Sequence, residues 1–333
     1  MKATFLNARE DTVRTVFAPQ TVQRIAGLSQ LDTTVYTKED LISGKIDLSD
    51  VEVLFSTWGI PVLTEEEIRR YLPRLKAVFY AAGSVQHFAR PMLKCGVAVF
   101  SAWAANAVPV AEFACAQIIL ANKGYFLLSQ TGSQSAYHAN RRAFGDYNGN
   151  YDSKVGIIGA GMIGKKVIEL LRPYKLEILV FDPFLPNETA AALGVKKVDL
   201  DELFSQCHVI SNHLANNAQT KGMLNGALFE KMRPCATFIN TGRGAQVVEA
   251  DLIRFLQARP DVTALLDVTD PEPPAEDSPL YALPNCLLTP HIAGSSGSEV
   301  HRMAEYMADE FEAFLNGTPT RYSVSEKMLE TMA

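Results

Sequence analysis

The run from Val155 to Gly164, VGIIGAGMIG, constrains this chain more than any other feature. Lys154–Ile158 reads as an apolar strand, and Gly159, Gly161 and Gly164 follow in G-x-G-x-x-G spacing. A helical pattern opens near Met162. A strand that turns this quickly into a helix belongs to a parallel sheet with helical crossovers. The run lies near the middle of 333 residues, so a large block of chain precedes it. That length suggests two domains, and 47% apolar residues can fill two cores.

Short apolar runs recur on both sides. ATFLNA, VEVLFST, LKAVFYAAG and VAVFSA read as strands, and LTEEEIRRYL as a helix opened by a Thr64–Glu67 capping box. After Asn106, NAVPVAEFACAQIILANKGYF reads as a long helix, apolar on every face and so buried against more than one neighbour. The polar stretch from about Gln130 to Ser153 reads as an irregular connection. Then LEILVFD, CHVISNHL, CATFINTG, VTALLDV and NCLLTPH read as strands, with helices at IGKKVIELL, DELF, GMLNGALFEKM and ADLIRFLQA. SSGSEVHRMAEYMADEFEAFLNG reads as one amphipathic closing helix. The expected fold is α/β, with two doubly wound parallel-sheet domains.

A net charge of −6 gives no reason to expect nucleic acid or a phospholipid surface as partner. No basic-then-apolar segment opens the chain, and no apolar run of about 18 residues is expected to span a bilayer. The five cysteines are scattered without metal-ligand spacing, which predicts free thiols, no metal site and a cytoplasmic protein.

A bare G-x-G-x-x-G also occurs in ordinary turns. Here a strand precedes it, a helix follows, and Asp182 ends the next strand about 18 residues beyond Gly164. In such a loop Gly159 makes the turn, Gly161 lets a pyrophosphate approach the backbone, and Gly164 allows close helix–strand packing. The N–H groups of Met162 and Ile163 open the helix toward the phosphates. A carboxylate at Asp182 would accept from ribose hydroxyls and repel a 2′-phosphate, and Pro183 and Phe184 bring no cation to offset it. The loop therefore predicts NAD rather than NADP. The blander reading of Asp182 is a strand-end cap.

Three polar residues follow in order: Arg243 in INTGRG, Glu272 in LLDVTDPEPP and His291 in LLTPHIAG. A guanidinium can grip a carboxylate or polarise a carbonyl. An imidazole can transfer a proton near neutral pH, and a carboxylate can keep it charged and oriented. Together they suit reduction of a 2-oxo acid. Asp267, Asp270 and Glu276 compete with Glu272 for the carboxylate role. His138 and His301 read as surface residues, and His87 and His208 as packing residues.

With these motifs in this order, the chain resembles the D-isomer-specific 2-hydroxyacid dehydrogenase family over nearly its whole length. The resemblance implies a flavodoxin-like substrate domain from residues 1–104 plus 296–333, with an inserted Rossmann NAD-binding domain at 105–295. It places the active site in a cleft between the two and a homodimer interface on the helix after Asn106. It assigns substrate binding to Arg243, proton transfer to His291 and the partner carboxylate to Glu272, with a D-2-hydroxy acid or its 2-oxo acid as substrate. His213, Thr241, Gly242 and Gly294 would line the cofactor site, and Asp267 would approach the nicotinamide carboxamide. Formate dehydrogenases, which carry Gln at the Glu272 position, are a weaker match. Where the family has a Gly-x-Gly-x-Asp type loop, this chain reads Ala81-Ala82-Gly83-Ser84-Val85-Gln86. Its backbone N–H groups from about Ala82 to Val85 could still bind a substrate carboxylate. Trp58 and Trp103 would border the substrate or sit in the core. The alternative is an NAD(H)-sensing binding protein similar to the family's transcriptional co-repressors; the complete acid–base set favours the enzyme.

Overall fold

In the computed structural model, which describes residues 1–330, the chain divides into two compact units: Met1–Asn106 with Ser295–Ala333, and Ala107–Gly294. The breaks fall at 106/107 and 294/295 rather than at 104/105 and 295/296. Ala105 packs in the core of the first unit, and Asn106 Oδ1 accepts from Ser295 N at 3.0 Å within it. Positions 331–333 of the expected range lie outside the described residues.

The first unit carries β1 (Lys2–Leu6), β2 (Gln30–Tyr36), β3 (Val53–Ser56), β4 (Ala77–Tyr80) and β5 (Ala98–Ser101), all parallel in the order β5-β4-β3-β1-β2. This is the flavodoxin-like order. Alternate residues of each strand enter opposite cores. Phe5, Phe55, Phe79 and Phe100 face one side, joined by Phe311 of the closing helix Val300–Asn316, while Leu54, Val78, Tyr80 and Val99 face the other. A sheet covered on both faces needs such near-continuous apolar strands.

The second unit carries β6 (Tyr151–Ile158), β7 (Lys175–Phe181), β8 (Lys196–Lys197), β9 (Val209–Asn212), β10 (Thr237–Asn240), β11 (Thr263–Leu266) and β12 (Cys286–Leu288). They form one parallel sheet in the order β12-β11-β10-β9-β6-β7-β8. That order winds outward in both directions from β6 and β9, the Rossmann arrangement, and its direction reverses between those two strands. After it the chain returns to the first unit, where β13 (Ser323–Val324) pairs antiparallel with β5.

Three expectations change. The polar stretch after Gln130 contains a helix, Gln134–Ala143, whose N-cap Ser133 accepts from Ala136 N at 3.1 Å. It buries no residue, so it carries no apolar stripe to betray it. GMLNGALFEKM forms helix only over Gly226–Phe229, opened by an Asn225 cap. Finally, the helix Trp103–Ala121 is, by length and composition, apolar enough to cross a membrane. Too few polar side chains interrupt its 19 residues to lower that character. Half of its most apolar window is buried in the protein: Ala105 enters one core, and Ala111, Ala114 and Ile118 enter another.

Candidate functional site

The polar residues of the second unit collect at the carboxyl ends of its strands, where open α/β sheets bind ligands. β6 leads into the glycine loop, β7 into Asp182, and β9 into His213. β10 leads into Arg243, β11 into Asp267 and Glu272, and β12 into His291.

The glycine loop is built by close contact. Gly159 has φ +88°, and a Cβ on Gly164 would lie 2.0 Å from Gly159 O, so only glycine allows the helix Met162–Leu171 to sit this tightly on the turn. Gly161 faces open space instead, with nothing within 4 Å of where its Cβ would be. The N–H groups of Gly161, Met162 and Ile163 find no partner among the described residues. A row of free donors at a helix N-terminus, beside an open glycine, fits a pyrophosphate. Asp182 stands next to it: Oδ2 accepts from Ala160 N at 2.7 Å and Oδ1 from Phe184 N at 2.8 Å. A carboxylate has lone pairs left for further donors. Asp182 thus braces the loop as well as offering the acceptor that a ribose requires.

Behind the loop, His213 is buried with both ring nitrogens engaged, Nε2 with Ser211 Oγ at 2.9 Å and Nδ1 with Thr241 Oγ at 3.2 Å. Burial pushes its imidazole down to about 4, so the ring is neutral at pH 7 and links the ends of β9 and β10. Neither ring nitrogen is left over for a ligand, and Thr241 Oγ is committed to the same contact.

Arg243 leaves β10 through Thr241 and Gly242, and it is half-buried. Its Nη1 donates to Gly242 O at 2.7 Å and its N donates to Gln246 Oε1 at 3.1 Å. The flanking glycines serve the protein's own packing: a Cβ on Gly244 would fall 1.9 Å from Thr269 C, and one on Gly242 would fall 2.6 Å from Gln246 Oε1. Under the arginine lies an amide cluster that the motifs did not reveal. Asn212 Nδ2 donates to Asn240 Oδ1 at 2.9 Å and to Gln246 Oε1 at 2.7 Å. Gln246 Nε2 donates to Leu214 O at 2.8 Å, and all three amides are buried. Its one sequence signal is that VISN and TFIN both end in Asn.

His291 Nδ1 lies 2.7 Å from Glu272 Oε1. Among the competing acids, Glu272 is therefore the one paired with the imidazole. A carboxylate only accepts, so Nδ1 carries the proton and Nε2 is left for chemistry. Both side chains are more than 40% exposed, so the pair adds little stability and serves mainly to orient the ring. The backbone at His291 is strained, with φ +54°, and its N–H reaches Thr289 O at 2.9 Å and Asp267 O at 3.1 Å.

Asp267 holds that conformation. It is 3% exposed; Oδ1 accepts from Thr289 Oγ at 2.6 Å and Ile292 N at 2.8 Å, and Oδ2 accepts from Ala293 N at 3.0 Å. The resemblance pointed this carboxylate toward a nicotinamide; here both oxygens are engaged by the loop that carries His291. Gly294 follows directly and is half-buried.

In the first unit the loop after β4 is split in character. Ala82 is fully buried and its N–H is used by Tyr80 O at 2.9 Å, so it is not a free donor. The N–H groups of Gly83, Ser84 and Val85 have no partner among the described residues, and Gly83 and Ser84 are partly exposed. Three successive free N–H groups can hold an anion. Trp58 is half-buried against both cores of this unit, and Trp103 packs edge-on against Tyr322, with centroids 5.7 Å apart. No group of three or more His, Cys, Asp or Glu suited to a metal occurs among the described residues.

Residues 116–293 match the family described as D-isomer specific 2-hydroxyacid dehydrogenase, NAD binding domain. D-3-phosphoglycerate dehydrogenase of Archaeoglobus fulgidus is 30% identical over 71% of this chain and 44% of its own length. Hydroxypyruvate reductase of Blautia hydrogenotrophica is 34% identical over 50% of this chain and 51% of its own. The chain thus spans about half or less of these curated relatives. Among solved structures, D-mandelate dehydrogenase of Rhodotorula graminis superposes with a TM-score of 0.80 at 19% identity, covering 98% of this chain and 97% of the other. At that identity the likeness speaks for the fold.

Proposed function

Because this chain belongs to the D-isomer specific 2-hydroxyacid dehydrogenase family, we propose that it is an NAD-dependent oxidoreductase interconverting a D-2-hydroxy acid and its 2-oxo acid. The observation that carries the reading is the His291–Glu272 pair, set on the same sheet edge as a dinucleotide loop with free donors. Gly161, Met162 and Ile163 would hold the cofactor's pyrophosphate and Asp182 its adenosine ribose. When bound, NAD(H) accepts or supplies the hydride at the substrate's C2.

The chain's own residues do the rest. The N–H groups of Gly83, Ser84 and Val85 receive the substrate carboxylate. Arg243 grips the carboxylate or the C2 oxygen and stabilises negative charge that grows there during reduction. His291 Nε2 donates the proton to that oxygen in reduction and takes it back in oxidation. Glu272 fixes the ring by accepting from Nδ1–H, which leaves Nε2 as the nitrogen that exchanges the proton with substrate. Asp267 keeps the His291 loop in place. A second copy of the chain is the partner we propose for the helix Trp103–Ala121 and the exposed Leu120 and Tyr125 at its end.

The test is oxidation of NADH in the presence of glyoxylate, hydroxypyruvate, pyruvate and branched 2-oxo acids. Turnover with at least one is expected, and His291→Ala should lower it roughly 10²–10⁴-fold. Tight NADH binding without turnover on any of them would favour a sensor instead.

A further inference from the structure

Ser101 ends β5 and is fully buried. Its Oγ lies 2.6 Å from Gly83 O and 2.9 Å from Ala82 O. A hydroxyl has one proton to give. Ala82 O already accepts from Ala102 N at 3.0 Å, so the Ser101 proton belongs on Gly83 O, which has no other donor among the described residues. Ser101 is itself held in place: its N donates to Tyr322 O at 3.1 Å, where β13 runs along β5.

In a trans peptide the C=O and the following N–H point in opposite directions. Among the described residues the cis bonds are Asp270–Pro271 and Glu272–Pro273, so the 82–83 and 83–84 peptides are trans. With the carbonyls of Ala82 and Gly83 turned toward Ser101 and Ala102, the N–H groups of Gly83 and Ser84 are turned the other way. Gly83 is the residue type least able to hold a peptide plane unaided. If the anchor on its carbonyl is lost, the 83–84 plane can rotate and present an oxygen where a donor stood, which repels an anion.

We propose that Ser101 is a positioning residue that fixes the Gly83–Ser84 peptide so that the Ser84 N–H meets the substrate carboxylate. This rests on the reading of the loop given under Proposed function. Ser101 touches no reactant; it acts through the backbone that does.

The experiment measures binding of oxamate, a 2-oxo acid analogue, to the full chain saturated with NADH, together with the NADH affinity itself. Ser101→Ala should weaken oxamate roughly tenfold, the usual order for losing a hydrogen bond to a charged group, and leave NADH affinity unchanged. Ser101→Cys, close in size and a weaker donor, should move the same way. Ser153→Ala serves as the control, because it removes another fully buried serine that donates to a carbonyl, Gly149 O at 2.6 Å, away from the site. Ser84→Asp, which sets a negative charge beside the donors, should abolish oxamate binding. If Ser84→Asp abolishes it while Ser101→Ala and Ser101→Cys bind as the parent does, the positioning role is wrong and the loop reading stands. If Ser153→Ala weakens oxamate as much as Ser101→Ala, the effect is general loosening and the proposal falls. If Ser84→Asp binds oxamate normally, the loop does not hold the carboxylate, and the reading beneath the proposal fails.

Discussion

Replacing Asp267 by asparagine should unseat His291 without touching it. The carboxylate accepts from Thr289 Oγ, Ile292 N and Ala293 N, and it is almost completely buried. An asparagine oxygen in the Oδ1 place keeps the first two contacts but weakens each by about 1 kcal/mol, the difference between charged and neutral acceptors. The amide nitrogen would then face Ala293 N–H, donor against donor, leaving a buried N–H unpaired at about 1–3 kcal/mol. Removing a buried charge returns part of this, so a net loss of about 2 kcal/mol is expected. In a unit of this size that is about 4–8 °C of thermal stability. With the Asp267 carboxylate gone from the loop, the strained backbone at His291 should relax toward negative φ. Misplacing a proton donor by about 1 Å costs on the order of a hundredfold in turnover. The assay is a pair: a melting curve of the protein, and kcat against the best 2-oxo acid of the panel. A melting temperature within about 1 °C of the parent, with NADH affinity reduced, would refute the argument. That result would assign Asp267 to the cofactor rather than to the loop.

Other perturbations follow from the same geometry. His213 is neutral in the fold because burial pushes it down to about 4, whereas an unfolded imidazole titrates near 6.5. The unfolded chain therefore binds more protons between those values; the stability is fully present above about pH 6.5 and falls away toward pH 4, by about 3 kcal/mol in all. His213→Gln should flatten that part of a stability-versus-pH curve, and an unchanged slope would count against it. Gly164→Ala drives a Cβ against Gly159 O and should cost about 2–3 kcal/mol by chemical denaturation, with weaker NADH binding. Asp182→Ser should raise the NADPH-to-NADH preference at least about tenfold, because it removes the charge that opposes a 2′-phosphate; a constant ratio of kcat/KM values would sink that role.

The fold was legible where a strand is buried on both faces. VEVLFST, LKAVFYAAG and VAVFSA are continuous apolar runs because both faces of β3, β4 and β5 meet a core. QLDTTVY was not legible: β2 is an edge strand paired only to β1, most of its residues are at least partly exposed, and its polar residues give no alternation. The two-residue β8 is likewise an edge, with both lysines exposed. The helix Gln134–Ala143 was lost for the same reason, since it buries nothing. The strand order could be inferred only through the resemblance, because parallel partners are chosen by contacts distant in sequence.

The site divides along the same physical line. Arg243, Glu272 and His291 stand out in the sequence as candidates because few side chain types can grip a carboxylate, tune an imidazole or move a proton near neutral pH. What holds them was not readable, because amides and hydroxyls occur everywhere and acquire a role only from their neighbours. Asn212 meets Asn240 because β9 and β10 pair in that register, and Gln246 joins them through the turn that follows Arg243. Ser101 meets Gly83 because β5 lies beside β4 and the two loops leave together. Asp267 is one of several acids in its loop, and only the fold of Thr289–Ala293 around it separates it from the others. Candidate reacting groups are therefore marked by local chemistry and their supports by strand register. Substitutions at the supports should accordingly change geometry-dependent quantities, such as anion affinity and turnover, while every side chain proposed for catalysis remains present.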